Sequence, residues 1–420
     1  MDRRRPLPYL PAMPFPIARA DALPPWRRPE ALLMLMAFAM PVAFATWSAL
    51  LNNFTVERAG FDGAAIGWLH TVREIPGFLA VGVIAVILFV REQTLALVSL
   101  VLLGVATALT AQFPSLGGLL FITLLSSIGF HYYETVNQSL QLQWLPKDRA
   151  PRMLGVLLSI GSGATLLAYG AIVVTWRAFD LSYDLVYWLS GGFTAAVAAL
   201  AFFLYPSFES PHPQVKRMVL RRRYWLYYAL QFMSGARRQI FVVFAGFMMV
   251  ERYGLAVHEV TALFMGTLLV NMISAPLVGR AVGHFGERSA LVIEYAGLGT
   301  IFVLYAGLYH FDWGVGVAAA LYVANHVFFS LALAIKTYFQ KIAAPGDIAP
   351  TAAVAFTINH IAAVFLPALL GYLWLSSPTL VFVAAAAMAA VSLMLSTLVP
   401  RHPEPGRETT LARMLPAPAE

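Results

Sequence analysis

Two adjacent arginines, Arg237 and Arg238, lie near the middle of a long apolar stretch, YWLYYALQFMSGARRQIFVVFAGFMMVERYG, from Tyr224 to Gly254. At ~1.5 Å of rise per residue they sit about 20 Å along a helix, which is bilayer depth. A cation there costs roughly 2.5–3.5 kcal/mol even on the most lenient insertion scale, so it faces water, a counter-charge or an anionic ligand. Tyr227, Gln231, Ser234 and Arg238 recur at spacings of three and four, on one helical face. That face assigns Arg238 to a polar cavity as the binder of a negatively charged group. Arg237 is left between the same role and a buried ion pair with a neighbouring helix.

Other groups at membrane depth extend this chemistry. In GFHYYETVNQSLQLQW, the residues His131, Glu134, Gln138 and Gln141 form one polar stripe. Arg73 and Glu74 are neighbours in sequence, and neighbours diverge by about 100° on a helix, so they are expected not to pair with each other. Arg73 is expected to reach Glu134, or Glu74 to reach Arg237. Asn325 with His326, and Asn359 with His360, place amides and imidazoles near mid-depth in two later spans. Together these residues predict a site for a small anionic or zwitterionic organic solute. Arg238, Arg237 and Arg73 would neutralise its charge, and His131, Gln138, Asn325, Asn359 and His360 would give hydrogen bonds. Glu74 and Glu134 are the carboxylates at depth that would carry protons. The competing reading is a set of interhelical hydrogen bonds and ion pairs with a purely structural role.

Within single spans no His-x-x-x-His or Glu-x-x-His pair occurs, and no phosphate-cradling glycine loop precedes a lysine. Cysteine is absent from the sequence, which removes thiolate metal sites, thiol catalysis and disulfides. The expectation is therefore no metal, no cofactor and no enzyme active site, with energy drawn from an ion gradient or from the solute's own gradient.

These residues must be positioned by membrane-spanning helices. The chain is 60% hydrophobic and only 12% charged over 420 residues. At ~20 apolar residues per span this accommodates about a dozen helices with short loops. Spans are predicted at 30–54, 64–90, 94–112, 117–143, 152–175, 183–204, 224–250, 258–282, 289–309, 314–341, 351–374 and 378–399. The net charge of +7 resides in short clusters between spans, where it signals topology rather than nucleic-acid binding. One set of alternate loops holds Arg91, Lys147, Arg149, Arg152 and the run Arg221 to Arg223; the opposite set holds only Arg58, Arg177 and Arg252. That bias puts the first set and both termini in the cytoplasm. The expected organisation is a disordered cytoplasmic tail at 1–29 and an N-terminal six-helix half at 30–205. A cytoplasmic linker at 206–223, a C-terminal six-helix half at 224–400 and a second cytoplasmic tail at 401–420 follow. No cleavable signal peptide is visible before the first span.

The halves repeat in sequence. VERAG at 56–60, after the first span, recurs as VERYG at 250–254, after the seventh. PKDRAP at 146–151 recurs as PGDIAP at 345–350, with Gln141 and Gln340 at the same spacing before them. An all-α membrane protein of twelve helices in two related halves resembles the major facilitator superfamily of secondary transporters, over about residues 30–400. That family carries a glycine, Asp-Arg, glycine and basic-pair pattern after its second and eighth helices. Its second copy is similar to GRAVGHFGER, with Gly279, Gly286 and Arg288 matching as a cytoplasmic gate loop. Gly283 stands for the aspartate, His284 for the arginine and Glu287 for a basic residue. In the first copy only Gly82 and Arg91 match. The resemblance implies a monomeric, multi-pass transporter working by alternating access, in the inner membrane of a bacterium, with the solute bound between the halves. The alternatives on the same fold are efflux of amphipathic or toxic compounds, or a non-transporting sensor or assembly factor. The fifth span lacks the Gly-Pro motif that drug/proton antiporters of the family tend to carry.

Overall fold

The computed structural model describes residues 23–79, 82–87, 89–145, 149–208, 220–344 and 347–411. Residues 1–22 of the first tail, 209–219 of the linker, 412–420 of the second tail, and Pro146, Lys147, Asp148, Pro345 and Gly346 of the repeated loops lie outside them.

The described residues are helical almost throughout. The N-terminal half comprises α1 (Pro29–Glu57), α2 (Gly63–Phe78), α3 (Gly82–Val86), α4 (Glu92–Leu109), α5 (Leu116–Trp144), α6 (Ala150–Ala178) and α7 (Tyr183–Leu204). The C-terminal half comprises α8 (Trp225–Ile240), α9 (Gly246–Glu251), α10 (Val257–His310), α11 (Val315–Phe329), α12 (Leu333–Ile342), α13 (Ile348–Ser376) and α14 (Pro378–Thr397). Among the described residues nine helical segments are long and apolar enough to cross a membrane. One of them, α10, turns at Gly286, whose φ of +79° is a conformation that suits glycine, so its two arms cross separately. With the interrupted pairs α2/α3 and α8/α9 added, the layout is consistent with twelve spans.

Small residues set the helix spacing, as they do where no hydrophobic force drives helices together. A Cβ on Gly104 of α4 would come 2.5 Å from the Ala195 nitrogen of α7, and one on Gly191 of α7 would come 2.3 Å from the Ala108 nitrogen. Across the halves, a Cβ on Gly67 would meet the Pro367 carbonyl at 2.3 Å and one on Gly371 the Gly63 carbonyl at 2.4 Å. Gly67→Val should therefore force α2 and α13 apart by about 1 Å or more, since close-packed backbone cannot absorb the overlap. Spin labels placed at the start of α2 and the end of α13 should report a longer and broader distance distribution in that variant.

The halves meet through α2 against α13 and α6 against α10. The contacts gather toward one end of the bundle. Asn53 Nδ2 donates to the Leu255 carbonyl at 2.7 Å, Trp68 Nε1 to the Tyr372 hydroxyl at 3.1 Å, and Thr71 Oγ1 to the Val364 carbonyl at 2.8 Å. The other end carries the described parts of both tails. There Tyr205 donates to the Trp26 carbonyl at 2.7 Å, and Tyr338 donates to the Glu408 carbonyl.

The end of the linker is tied down at that second end. Asp347 Oδ2 accepts from Arg221 Nε at 2.6 Å, from Arg223 Nη2 at 3.1 Å and from the Tyr224 hydroxyl at 3.0 Å. The Arg221 hydrogen bond, more than the other contacts, holds the Asp347 carboxyl below the usual aspartate range. A depressed carboxyl stabilises the fold fully above its unfolded pKa of about 3.9 and loses that contribution as the pH falls through the lower folded value. Asp347→Asn should lower the melting temperature at neutral pH, and its difference from wild type should shrink once the pH falls below about 4. Melting curves of both proteins across that range check the sign.

Candidate functional site

Between α2 and α13 the halves also meet through a buried carboxylate and an imidazole. Glu74 on α2 places Oε2 3.6 Å from His360 Nε2 on α13, and its other oxygen is taken by the Arg73 guanidinium, whose Nε lies 3.1 Å away. Glu74 is 3% exposed and His360 6%, so the carboxylate charge is not left to solvent screening. On α5, His131 stands edge-on to His360 with ring centroids 5.6 Å apart. His131 Nδ1 is held by the Ser127 carbonyl at 3.0 Å, and the Ser127 hydroxyl in turn donates to the Arg73 carbonyl. Arg73 also lies over the Trp47 ring of α1, 5.9 Å from its centroid.

Arg73 and Glu74 thus pair with each other, which corrects the expectation from their adjacency. The 100° divergence applies to Cβ directions, whereas a guanidinium on a three-carbon stem bends round the helix to reach the next carboxylate. Glu74 in turn pairs across to His360 and not with Arg237.

The two arginines of α8 diverge. Arg237 is 1% exposed, lies 3.5 Å from Glu294 Oε1 on the second arm of α10, and places its guanidinium 4.1 Å from the centre of the Tyr295 ring. A cavity of about 170 Å³ adjoins it, lined by Arg238, Leu298, Phe302, Asn325, His326 and others, within the C-terminal half. Arg237 Nε and Nη1 and Asn325 Oδ1 have no hydrogen-bond partner among the described residues. The structure therefore does not bring Arg237 or Asn325 to the contact between the halves. The buried carboxylate of Glu294 makes an ion pair the low-cost arrangement for Arg237.

Arg238, one residue on, donates from Nη2 to Asn359 Oδ1 at 3.1 Å, and its Nε is buried without a hydrogen-bond partner among the described residues. It lies within electrostatic reach of both Glu74 and Glu134. Asn359 Nδ2 donates to the Gln231 carbonyl at 3.1 Å, and Gln231 Nε2 to the Tyr227 hydroxyl at 3.3 Å. Of the predicted face, Arg238 and the Gln231 carbonyl thus meet α13, while Tyr227 stacks on Phe339 of α12 with ring centroids 4.1 Å apart. The α8–α13 contact is close because position 235 is glycine: a Cβ there would meet the Asn359 carbonyl at 2.3 Å. Just after the arginines the helix widens into a π segment, Phe241–Ala245, and both arginine carbonyls accept from the Phe241 N–H. Such bulges recur where a helix is bent to a function.

Along α5 the predicted stripe grades from buried His131 through half-buried Glu134 and Gln141 to exposed Gln138. Glu134 has no hydrogen-bond partner among the described residues. In the loop matched to a gate, Gly286 makes the turn of α10 and buried Glu287 accepts from Lys341 Nζ at 2.7 Å. Arg288 lines a surface cleft with Arg401 and His402, while Gly279 is exposed.

Three participants were not singled out in sequence. Glu294 is the lone charge inside its span, which was the available signal. Ser127 lies one helical turn before His131. Gly77 carries no side chain where His131 and His360 converge, with its Cβ position 2.6 Å from His131 Nε2. Spacing within a single span carries no sign of the group Glu74, His131 and His360, because they come from three helices.

Solved structures of transporters share this architecture at low sequence identity. A single-residue variant of the nucleoside transporter NupG superposes with a TM-score of 0.73 at 12% identity, over 88% of this chain and 99% of that one. A bacterial homologue of the human lysosomal transporter Spinster, in an inward-facing and occupied form, superposes with a TM-score of 0.66 at 13% identity, over 93% and 98%. No curated protein sequence matches the chain. The sequence profile of the Major Facilitator Superfamily matches residues 31–367. With two helical halves meeting at a buried polar cluster and that profile spanning most of its length, the chain belongs to the Major Facilitator Superfamily.

Proposed function

We propose that this membrane transporter moves a small anionic or zwitterionic organic solute by alternating access, coupled to protons. The observation that carries the reading is the state of its three deep arginines. Arg237 is paired with Glu294 and Arg73 with Glu74, whereas Arg238, with no carboxylate at ion-pair distance among the described residues, holds only an amide oxygen and keeps its buried Nε spare. A guanidinium with unspent donors beside the junction of two halves suits a carboxylate or phosphate on the solute. Asn359, His360, His131 and Gln138 supply hydrogen bonds around it. Glu134, without a hydrogen-bond partner among the described residues, is the carboxylate free to exchange a proton, while Glu74 is engaged by Arg73 and His360. The lysine and arginine bias of the loops supports cytoplasmic termini, and the family resemblance supports a monomer in a bacterial inner membrane.

Flux into proteoliposomes under an imposed pH gradient tests this. The solutes to compare are organic acids, amino acids, nucleosides and lipophilic cations. The expected result is uptake of an acid or zwitterion that follows the gradient. In Glu134→Gln the solute should still exchange across the membrane but should no longer be driven by the proton gradient. Flux of lipophilic cations alone would assign the protein to efflux of amphipathic compounds. Tight binding with no flux of any solute would assign it to sensing.

A further inference from the structure

Glu74, His131 and His360 come from α2, α5 and α13 and from both halves, yet one ligand atom of each lies within 4.8 Å of the other two. The hydrogen bonds fix which atoms these are. His131 Nδ1 is 3.0 Å from both the carbonyl and the hydroxyl of Ser127, the hydroxyl proton going to the Arg73 carbonyl, and His360 Nδ1 is 2.8 Å from the Phe356 carbonyl. A carbonyl only accepts, so each Nδ1 carries a proton, and in the neutral ring each Nε2 is a lone pair. The Glu74 carboxylate is an acceptor as well, with Oε2 3.6 Å from His360 Nε2. Three buried lone pairs converging on one point repel one another unless something positive lies between them. Gly77 leaves room for that convergence, because a Cβ there would come 2.5 Å from His360 Cδ2 and 2.6 Å from His131 Nε2.

The geometry points to a binding site for a transition-metal dication of the zinc class, held by Glu74 Oε2, His131 Nε2 and His360 Nε2, with a fourth position open. Two imidazoles and one carboxylate are a donor set that suits such an ion. Each imidazole is already braced through its other nitrogen by a backbone carbonyl, the outer support that orients metal-binding histidines. Charge decides what fills the fourth position. Arg73 and Arg238 against Glu74 and Glu134 leave a dication uncompensated, so an anion such as chloride, hydroxide or a carboxylate completes the site. Since the ligands belong to both halves, a bound metal fastens α2 and α5 to α13 in the arrangement described here. This goes beyond the transport reading: with the metal bound, both nitrogens of His131 and of His360 are engaged, and these two residues then meet the solute only through the ion.

The test uses the full chain, purified in detergent at neutral pH and titrated with cobalt(II) as a spectroscopic stand-in for zinc. A saturable one-to-one complex with the intense visible bands of four- or five-coordinate cobalt is expected, displaced by zinc, and zinc should raise the melting temperature. His131→Gln and His360→Gln should each weaken binding at least a hundredfold. His326→Gln should leave it unchanged, since His326 has the same backbone brace, to the Tyr322 carbonyl at 3.0 Å, but lies outside the cluster. Gly77→Ala, which puts a methyl group into the gap without removing a ligand, should also abolish the cobalt bands. Metal-free melting and gel filtration of each variant establish that it is folded. Binding that survives both histidine variants, weak six-coordinate spectra, or no binding at millimolar metal would overturn the proposal and leave a proton shared within the cluster. None of these outcomes depends on flux, so failure here leaves the transport reading standing.

Discussion

Replacing Arg237 with alanine should cost about 3–5 kcal/mol of stability, enough to abolish most folded protein, while leaving solute affinity in any surviving fraction nearly unchanged. Arg237 and Glu294 are 1% and 0% exposed, and the nearest pairing atoms are 3.5 Å apart. Removing either one leaves the other as an uncompensated charge in a low-dielectric interior, and that orphan carries the penalty more than the lost attraction does. Glu294→Ala should therefore fall in the same range. Replacing both residues at once, as Arg237→Met with Glu294→Leu, should recover most of the loss, because two apolar side chains of similar volume need no partner there. Melting temperatures of the two single variants and the double variant, read as a cycle, give the coupling. A single variant that folds normally but loses solute affinity would return Arg237 to the binding site.

How much of this was legible in sequence depends on the range of the interaction. The depth of Arg237 and Arg238 could be read directly, because the cost of a cation in hydrocarbon depends only on how many apolar residues flank it. Their separate fates followed in part from the three-and-four spacing that put Arg238 on the polar face and left Arg237 off it. Arg73 and Glu74 were misjudged, because helical phase describes where side chains leave the backbone and not how far a guanidinium reaches. The convergence of Glu74, His131 and His360 was invisible, since residues 57 and more positions apart meet only through the packing of α2, α5 and α13. Hydropathy also hid the breaks near mid-span, the π segment Phe241–Ala245 and the 3-10 turn Ser330–Ala332. A run of apolar residues reads the same whichever hydrogen-bond register its backbone adopts.

Arg238→Ala should reduce affinity for an acidic solute by roughly 2–5 kcal/mol, thirtyfold or more, with little loss of stability. The asymmetry with Arg237 arises because no ion pair is broken when Arg238 goes: its hydrogen-bond partner is the amide oxygen of Asn359 at 3.1 Å. Arg238→Lys should restore only part of the affinity, since an ammonium offers charge without the planar fork that matches a carboxylate. Asn359→Asp separates the charge of the arginine from its availability. The new carboxylate would sit where the amide oxygen now accepts, and the close α8–α13 packing at Gly235 keeps that position fixed. Arg238 would then be retained, paired and spent, as Arg73 and Arg237 are. Acid-induced thermal stabilisation should accordingly disappear in Asn359→Asp as fully as in Arg238→Ala, while the solute-free melting temperature holds or rises. If Asn359→Asp keeps the full response to acids, the guanidinium is not what the solute touches, and the anion must be held elsewhere between the halves.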